Sequence, residues 1–204
     1  MLDKSKQELQ SRADLLIIAD LIGKNTSVLD LGCGNGNLLH ILKSEKNIYA
    51  CGLEISQDKI LECVTKGVPV IHSDLNDGLS EFSDDSFDFV VLSQTIQAVQ
   101  RPDNLLEDMI RVGKKGIVSF LNIGYFPSRF QLTFSGKMPI TNDLPDQWYN
   151  TQNIHLATIR DFRNLCREKG FKITKEIPFG GNWNILAKCC PNMFAPTCVF
   201  IIEK

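Results

Sequence analysis

Five short stretches of predominantly apolar sequence, with helix-forming segments between them, limit what this chain can fold into more than any other feature. They are Ser27–Leu31, Ile48–Leu53, Val68–Ile71, Phe87–Leu92 and Gly116–Leu121. A strand exposed on one face alternates apolar and polar residues. These runs do not, so they predict parallel strands covered on both faces. Ser56 can cap a helix in which Ile60 and Val64 share a face and which Gly67 ends. Pro102 starts another, with Leu105, Leu106, Met109 and Ile110 as an apolar stripe before Gly113. Thr158 and Asp161 stand at capping-box spacing ahead of Ile159, Phe162, Leu165 and Cys166, and Gly170 closes that helix. Strand and helix in repeated alternation mean an α/β, doubly wound, mostly parallel sheet. Two later runs, Lys172–Ile177 and Thr197–Ile202, are separated only by irregular sequence containing Gly, Asn and Pro. Without a crossover helix between them, the final strand is expected to be antiparallel.

A chain of 204 residues, 43% of them hydrophobic, fits one domain spanning 1–204. Its formal net charge of -2, with acids and bases interspersed, gives no basic field for nucleic acid. The seven cysteines form no C-x-x-C pair, which predicts reduced and mostly buried thiols, with the adjacent Cys189 and Cys190 as apolar filler rather than a redox or metal pair. His40 and His72 are not spaced with cysteine or acid partners as ligands would be, so no metal is expected. Residues 1–10 are polar, and no run approaches the roughly 18 apolar residues that cross a bilayer. No membrane association and a cytoplasmic location are expected.

The chemistry concentrates after the first run, at Asp30-Leu31-Gly32-Cys33-Gly34-Asn35-Gly36. Glycines there let the backbone approach a ligand closely, with the amides of the following helix at hand. Dinucleotide enzymes use G-x-G-x-x-G, and Gly32 and Gly34 fit, but the third position is Asn37. An acid at the strand tip repels a pyrophosphate yet accepts hydrogen bonds from a cationic amino-acid group. That separates S-adenosylmethionine from NAD on electrostatic grounds. Glu54, at the end of the second run, can bind the ribose hydroxyls, and Ile55 can cover one face of the adenine. Asp74, after the third run, can accept from the adenine amino group, with Leu75 on the ring's other face. Cys33 in the turn and Ser93 after the fourth run complete the expected cofactor residues.

Beyond these motifs, "FDFVVLSQTIQAVQRPDNLL", "SFLNIGYFPSRFQLTFSGKMP" and "NIHLATIRDFRNLC", together with "VLDLGCGNGNLL" and "GLEIS", resemble the methionine biosynthesis protein MetW family of class I methyltransferase-like proteins. The resemblance implies a seven-stranded methyltransferase-like sheet. It also implies a place in methionine biosynthesis alongside homoserine O-acyltransferase, a partner whose activity such proteins support. The tail "KCCPNMFAPTCVFIIEK" is richer in cysteine than the family leads one to expect.

Methyl transfer needs little beyond alignment, because the sulfonium is already activated and positioning alone supplies roughly 7–11 kcal/mol. With turnover, S-adenosylhomocysteine would be the product. Gln94 and Gln97, one helical turn apart beyond the fourth run, can orient a polar substrate or bond to backbone groups. His155, between Ile154 and Leu156, is either a general base or a packed histidine. No catalytic residue is assigned beyond these three. Residues 122–157 lack clear periodicity but carry Tyr125, Phe126, Phe130, Phe134, Trp148 and Tyr149, which predicts a substrate lid or a partner-docking insertion. Three functions remain open: a cofactor-binding subunit that regulates or completes an acyltransferase, an autonomous small-molecule methyltransferase, and a nicotinamide oxidoreductase.

Overall fold

A computed structural model describes residues 12–141, 144–180 and 184–204; the polar stretch 1–10 lies outside the described residues. Seven strands form one sheet: β1 (Ser27–Leu31), β2 (Tyr49–Glu54), β3 (Val70–His72), β4 (Phe87–Ser93), β5 (Gly113–Leu121), β6 (Lys172–Phe179) and β7 (Thr197–Glu203). Their order is β3-β2-β1-β4-β5-β7-β6. The first five strands run parallel, and β7 lies antiparallel to both β5 and β6, as the sequence predicts. After β1 the chain crosses to β2 on one side and later to β4 on the other. The carboxyl ends of β1 and β4 therefore bound a crevice that no crossover fills.

Both faces of the sheet are covered. Val28 packs with Ile18 of α1 (Ala13–Leu21), with Ile22 just beyond that helix, and with Leu38, Leu39 and Leu42 of α2 (Asn37–Lys46). Leu29, one residue on, faces Leu105, Leu106, Met109 and Ile110 of α4 (Pro102–Val112). Strands apolar on both faces are thus needed, each buried aliphatic side chain contributing about 1.5–3 kcal/mol. Phe162 of α6 (Ile159–Lys169) meets Phe120 and Phe200 with ring centroids 5.2 and 4.6 Å apart. The predicted capping box is present in full, and Gly170 ends α6 at φ 76°.

Several expectations need correction. The third strand begins at Val70 rather than Val68, because Pro69 intervenes and offers its carbonyl to Gly52 at 3.0 Å. In α3 (Gln57–Thr65) the buried residue is Cys63, while Val64 is exposed. This helix covers a three-residue edge strand with little apolar surface beneath it. The stretch between β6 and β7 contains α7 (Asn184–Cys189) and α8 (Pro191–Phe194). Cys189 and Cys190 are exposed at the end of α7, so they are not core filler. Residues 122–157 include a further helix, α5 (Phe126–Ser135). Its Phe126, Phe130 and Phe134 recur at helical spacing but face solvent, with centroids 6.1 and 4.5 Å apart along the row. Asn122, 2% exposed, ties the segment's two ends together: a bridge joins it to Ala157, and its side-chain oxygen accepts from Gly124 and Ile159.

Candidate functional site

The turn from β1 into α2 carries Gly32, Gly34 and Gly36 at φ 72°, 58° and 72°. A Cβ on Gly32 would lie 2.8 Å from the Thr95 side chain, whereas one on Gly34 would meet no atom within 4 Å and would enter the open crevice. Close approach is therefore needed at Gly32 by the protein, while Gly34 leaves open space on the cleft wall.

The amides of this turn are already used. Gly32 and Cys33 donate to the Leu53 carbonyl at 2.9 and 3.0 Å, and Gly34 donates to Glu54 Oε2 at 2.8 Å. These three amides stitch the turn to the tip of β2. A pyrophosphate would meet the Glu54 carboxylate where it needs donors, which disfavours a dinucleotide. Glu54 Oε1 also accepts from the amides of Ile55 and Ser56 at 3.1 and 2.9 Å, leaving Oε2 the less committed oxygen.

Two adjoining hollows run along the strand tips. The wider, about 550 Å³, is lined by Glu54, Ile55, Asp74 and Leu75, and on the far wall by Thr151 and Gln152. Ile55 is 57% exposed, an apolar side chain left uncovered beside the cleft. Asp74 caps the short turn Leu75–Asp77, its Oδ1 accepting from the amide and the side chain of Asn76 at 2.9 and 2.8 Å, while Oδ2 stays uncommitted. The narrower hollow, about 260 Å³, is lined by Asp30, Gly32, Cys33, Gly34 and Ser93, with Arg12 closing it. The expected cofactor residues thus all border one continuous groove.

Asp30 is 3% exposed, and its carboxylate makes no hydrogen bond to a described residue. Burial pushes its pKa up to about 7; the Arg12 charge opposes this, and the nearby Glu54 and Asp14 add to it. A buried acid without a partner on the wall of a cavity is poised for a cation. The Cys33 Sγ packs beneath the turn 4.0 Å from that of Cys63, and the contact with Cys63 together with burial raises its pKa.

The three catalytic candidates separate. Gln94 sits at φ 52°, a strained conformation for a residue with a side chain, and lines both hollows. Gln97 is 2% exposed and consumed by structure: its Nε2 donates to the carbonyls of Leu121 and His155, both at 3.3 Å, and its Oε1 accepts from the Leu121 amide at 3.1 Å. His155 Nε2 lies 3.1 Å from the Gln100 carbonyl, beside an apolar hollow away from the glycine turn. For Gln97 the backbone-bonding reading matches the geometry; His155 meets a backbone carbonyl but is exposed rather than packed. Among the described residues, no group of three or more His, Cys, Asp or Glu could hold a metal ion, and no helix is long and apolar enough to cross a membrane.

Sequence reasoning missed Arg12 and Asp14. Asp14, in the apolar helix α1, is 1% exposed. It receives Arg12 Nε and Nη2 at 2.9 and 2.8 Å, Ser93 Oγ at 2.7 Å and Ser119 Oγ at 3.0 Å. Burial raises its pKa, but the bonds and charge of Arg12 with the two hydroxyls outweigh that and hold it below the ordinary carboxylate value. An acid within "ADLLIIADL" was the available signal, since a buried charge requires a partner.

The model of the family described as methionine biosynthesis protein MetW matches residues 12–202. The chain belongs to the MetW family. It is 37% identical over 169 residues to the bifunctional methionine biosynthesis protein MetXA/MetW of Rhodopirellula baltica; the match covers 78% of this chain but spans only 27% of that relative. Among solved structures, a SAM-dependent methyltransferase from Archaeoglobus fulgidus superposes with a TM-score of 0.71 at 19% identity, covering 96% of this chain and 93% of that one. The [4+2]-cyclase SpnF superposes with a TM-score of 0.65 at 17% identity, covering 96% of this chain and 82% of its own. The fold is that of the class I methyltransferases, and a cyclase that shares it shows that the fold alone does not specify the reaction.

Proposed function

We propose that this MetW-family chain binds S-adenosylmethionine along the strand tips and, in methionine biosynthesis, acts with or regulates a homoserine O-acyltransferase. The observation that carries the cofactor reading is Asp30: a buried acid without a partner among the described residues, beside a glycine turn in which the Gly34 amide already donates to Glu54. Such a wall favours a sulfonium amino acid over a dinucleotide phosphate.

The partner reading draws support from the Rhodopirellula relative, in which a MetW-like part is joined to MetXA. It also draws on α5, whose exposed phenylalanine row belongs to the 122–157 insertion that additionally walls the cleft through Thr151 and Gln152. In this reading the insertion is a docking element as well as a lid, so cleft occupancy and the outer face share one segment. End-product sensing then needs a coupling of only about 1–3 kcal/mol between the two sites.

Titration of a homoserine O-acyltransferase with this chain, with and without S-adenosylmethionine, tests the proposal. Physical association and a rate change that depends on the cofactor are expected, both weakened by Phe130→Glu. Absence of association together with an unchanged rate would remove the partner reading.

A specific observation favours a second reading, an autonomous small-molecule methyltransferase. Gln94 also borders an adjacent hollow of about 380 Å³, walled by Leu144, Pro145 and Asn150, with room for an acceptor. Formation of S-adenosylhomocysteine in cell extract, lost on Asp30→Ala, would support it; extract-independent slow hydrolysis alone would count against it.

A further inference from the structure

The narrow hollow holds opposite charges at two places. Asp30 lines it as an acid with no partner among the described residues, and Arg12 lines it as a base with a specific geometry. Arg12 Nε and Nη2 are locked in a fork on Asp14, and Nη2 also donates to Ser93 Oγ at 2.8 Å, while Nη1 bonds no described residue. Asp14 is itself fixed by Ser93 and Ser119 at the ends of β4 and β5. The guanidinium is thus oriented before any ligand arrives, with one edge uncommitted. A held guanidinium binds a carboxylate with little further loss of side-chain freedom. A cavity presenting one unpaired acid and one half-used guanidinium is complementary to a zwitterion.

We propose that Arg12 is the carboxylate-binding residue of this cleft, and that Arg12 and Asp30 together select nucleosides carrying an intact α-amino-acid end over nucleosides that lack one. The assignment rests on the cofactor reading above and adds what that reading leaves open, the anionic half of the ligand. Asp14 then acts as a positioning residue, holding Arg12 without touching the ligand.

Calorimetric titration of the whole chain with S-adenosylhomocysteine and with 5′-methylthioadenosine, which lacks the amino-acid end, tests it. Arg12→Gln should weaken S-adenosylhomocysteine binding roughly 10- to 100-fold. Binding of methylthioadenosine should change less than about twofold, which also reports that the variant is folded. Arg12→Lys, which keeps the charge and loses the fork, should fall between wild type and Arg12→Gln. An Arg12→Gln protein that retains wild-type affinity for S-adenosylhomocysteine, or that loses affinity equally for both nucleosides, overturns the assignment alone. Wild-type protein that binds neither nucleoside overturns the assignment and the cofactor reading together.

Discussion

Replacing Asp30 by Asn should make the protein more stable and unable to hold its ligand, and the size of the gain can be worked from the site. The carboxyl is raised from 3.8 to about 7 because it is buried without a hydrogen-bond donor, with Glu54 and Asp14 nearby and only Arg12 opposing. At about 1.4 kcal/mol per pKa unit, holding it ionised in the folded state costs about 4 kcal/mol. The folded pKa lies above the unfolded value, so the folded state binds the proton more tightly and stability falls as pH rises from about 4 to about 7. Asn is neutral and nearly isosteric, so the difference between Asp30→Asn and wild type isolates this one group. It should be about 4 kcal/mol at pH 7.5 and well under about 1 kcal/mol at pH 4. In a chain of this length 1 kcal/mol moves Tm by about 2–4 °C, giving a gain of roughly 8–16 °C at neutral pH and of less than about 2 °C at pH 4. Thermal and urea melts of both proteins from pH 4 to 7.5 measure it. A variant no more stable than wild type at pH 7.5, or an offset that does not change with pH, would refute the reasoning that Asp30 is an unsatisfied acid kept for a cation.

The same acid predicts ligand behaviour: affinity for S-adenosylhomocysteine should drop about eightfold between pH 7.5 and 6, as Asp30 takes up its proton, and Asp30→Asn should flatten the curve. A pH-independent Kd in the wild type would contradict this. Gly34→Ala should abolish ligand binding at a cost of about 1–2 kcal/mol in stability, since only the left-handed backbone opposes the new methyl group. Gly32→Ala, which also strikes Thr95, should lower Tm further; melts and titrations of the two variants would expose a reversed order. Gln97→Leu should destabilise by about 1–3 kcal/mol, because it strands the Leu121 amide and two carbonyls, while leaving nucleoside affinity intact. A nucleoside Kd that rises in step with the loss of stability would place Gln97 in the site after all.

What could be read from the sequence was what is local or periodic. Val28 to Leu31 must be covered on both faces, and acids that follow such runs must stand at one edge of the sheet; hence Asp30, Glu54 and Asp74 all border one groove. What could not be read is held across distance: Ser93 meets Arg12 and Asp14 only once α1 docks against the sheet, and Gln97 bonds Leu121 only once β5 lies beside it. Phe126, Phe130 and Phe134 are a different case. Their spacing is helical, but a helical apolar stripe ordinarily marks a buried face, and here it is solvent-facing. Val64 misled in the opposite direction, because the short edge strand offered nothing to pack on.

In the proposed reading, a groove walled by acids at the strand tips accepts a cationic adenosyl amino acid. Side-by-side calorimetry of the purified chain with S-adenosylmethionine and with NAD tests it most directly. One-to-one binding of S-adenosylmethionine that Asp30→Asn removes, with no heat from NAD, is the predicted result. Silence toward S-adenosylmethionine, or saturable binding of NAD in its place, would contradict it.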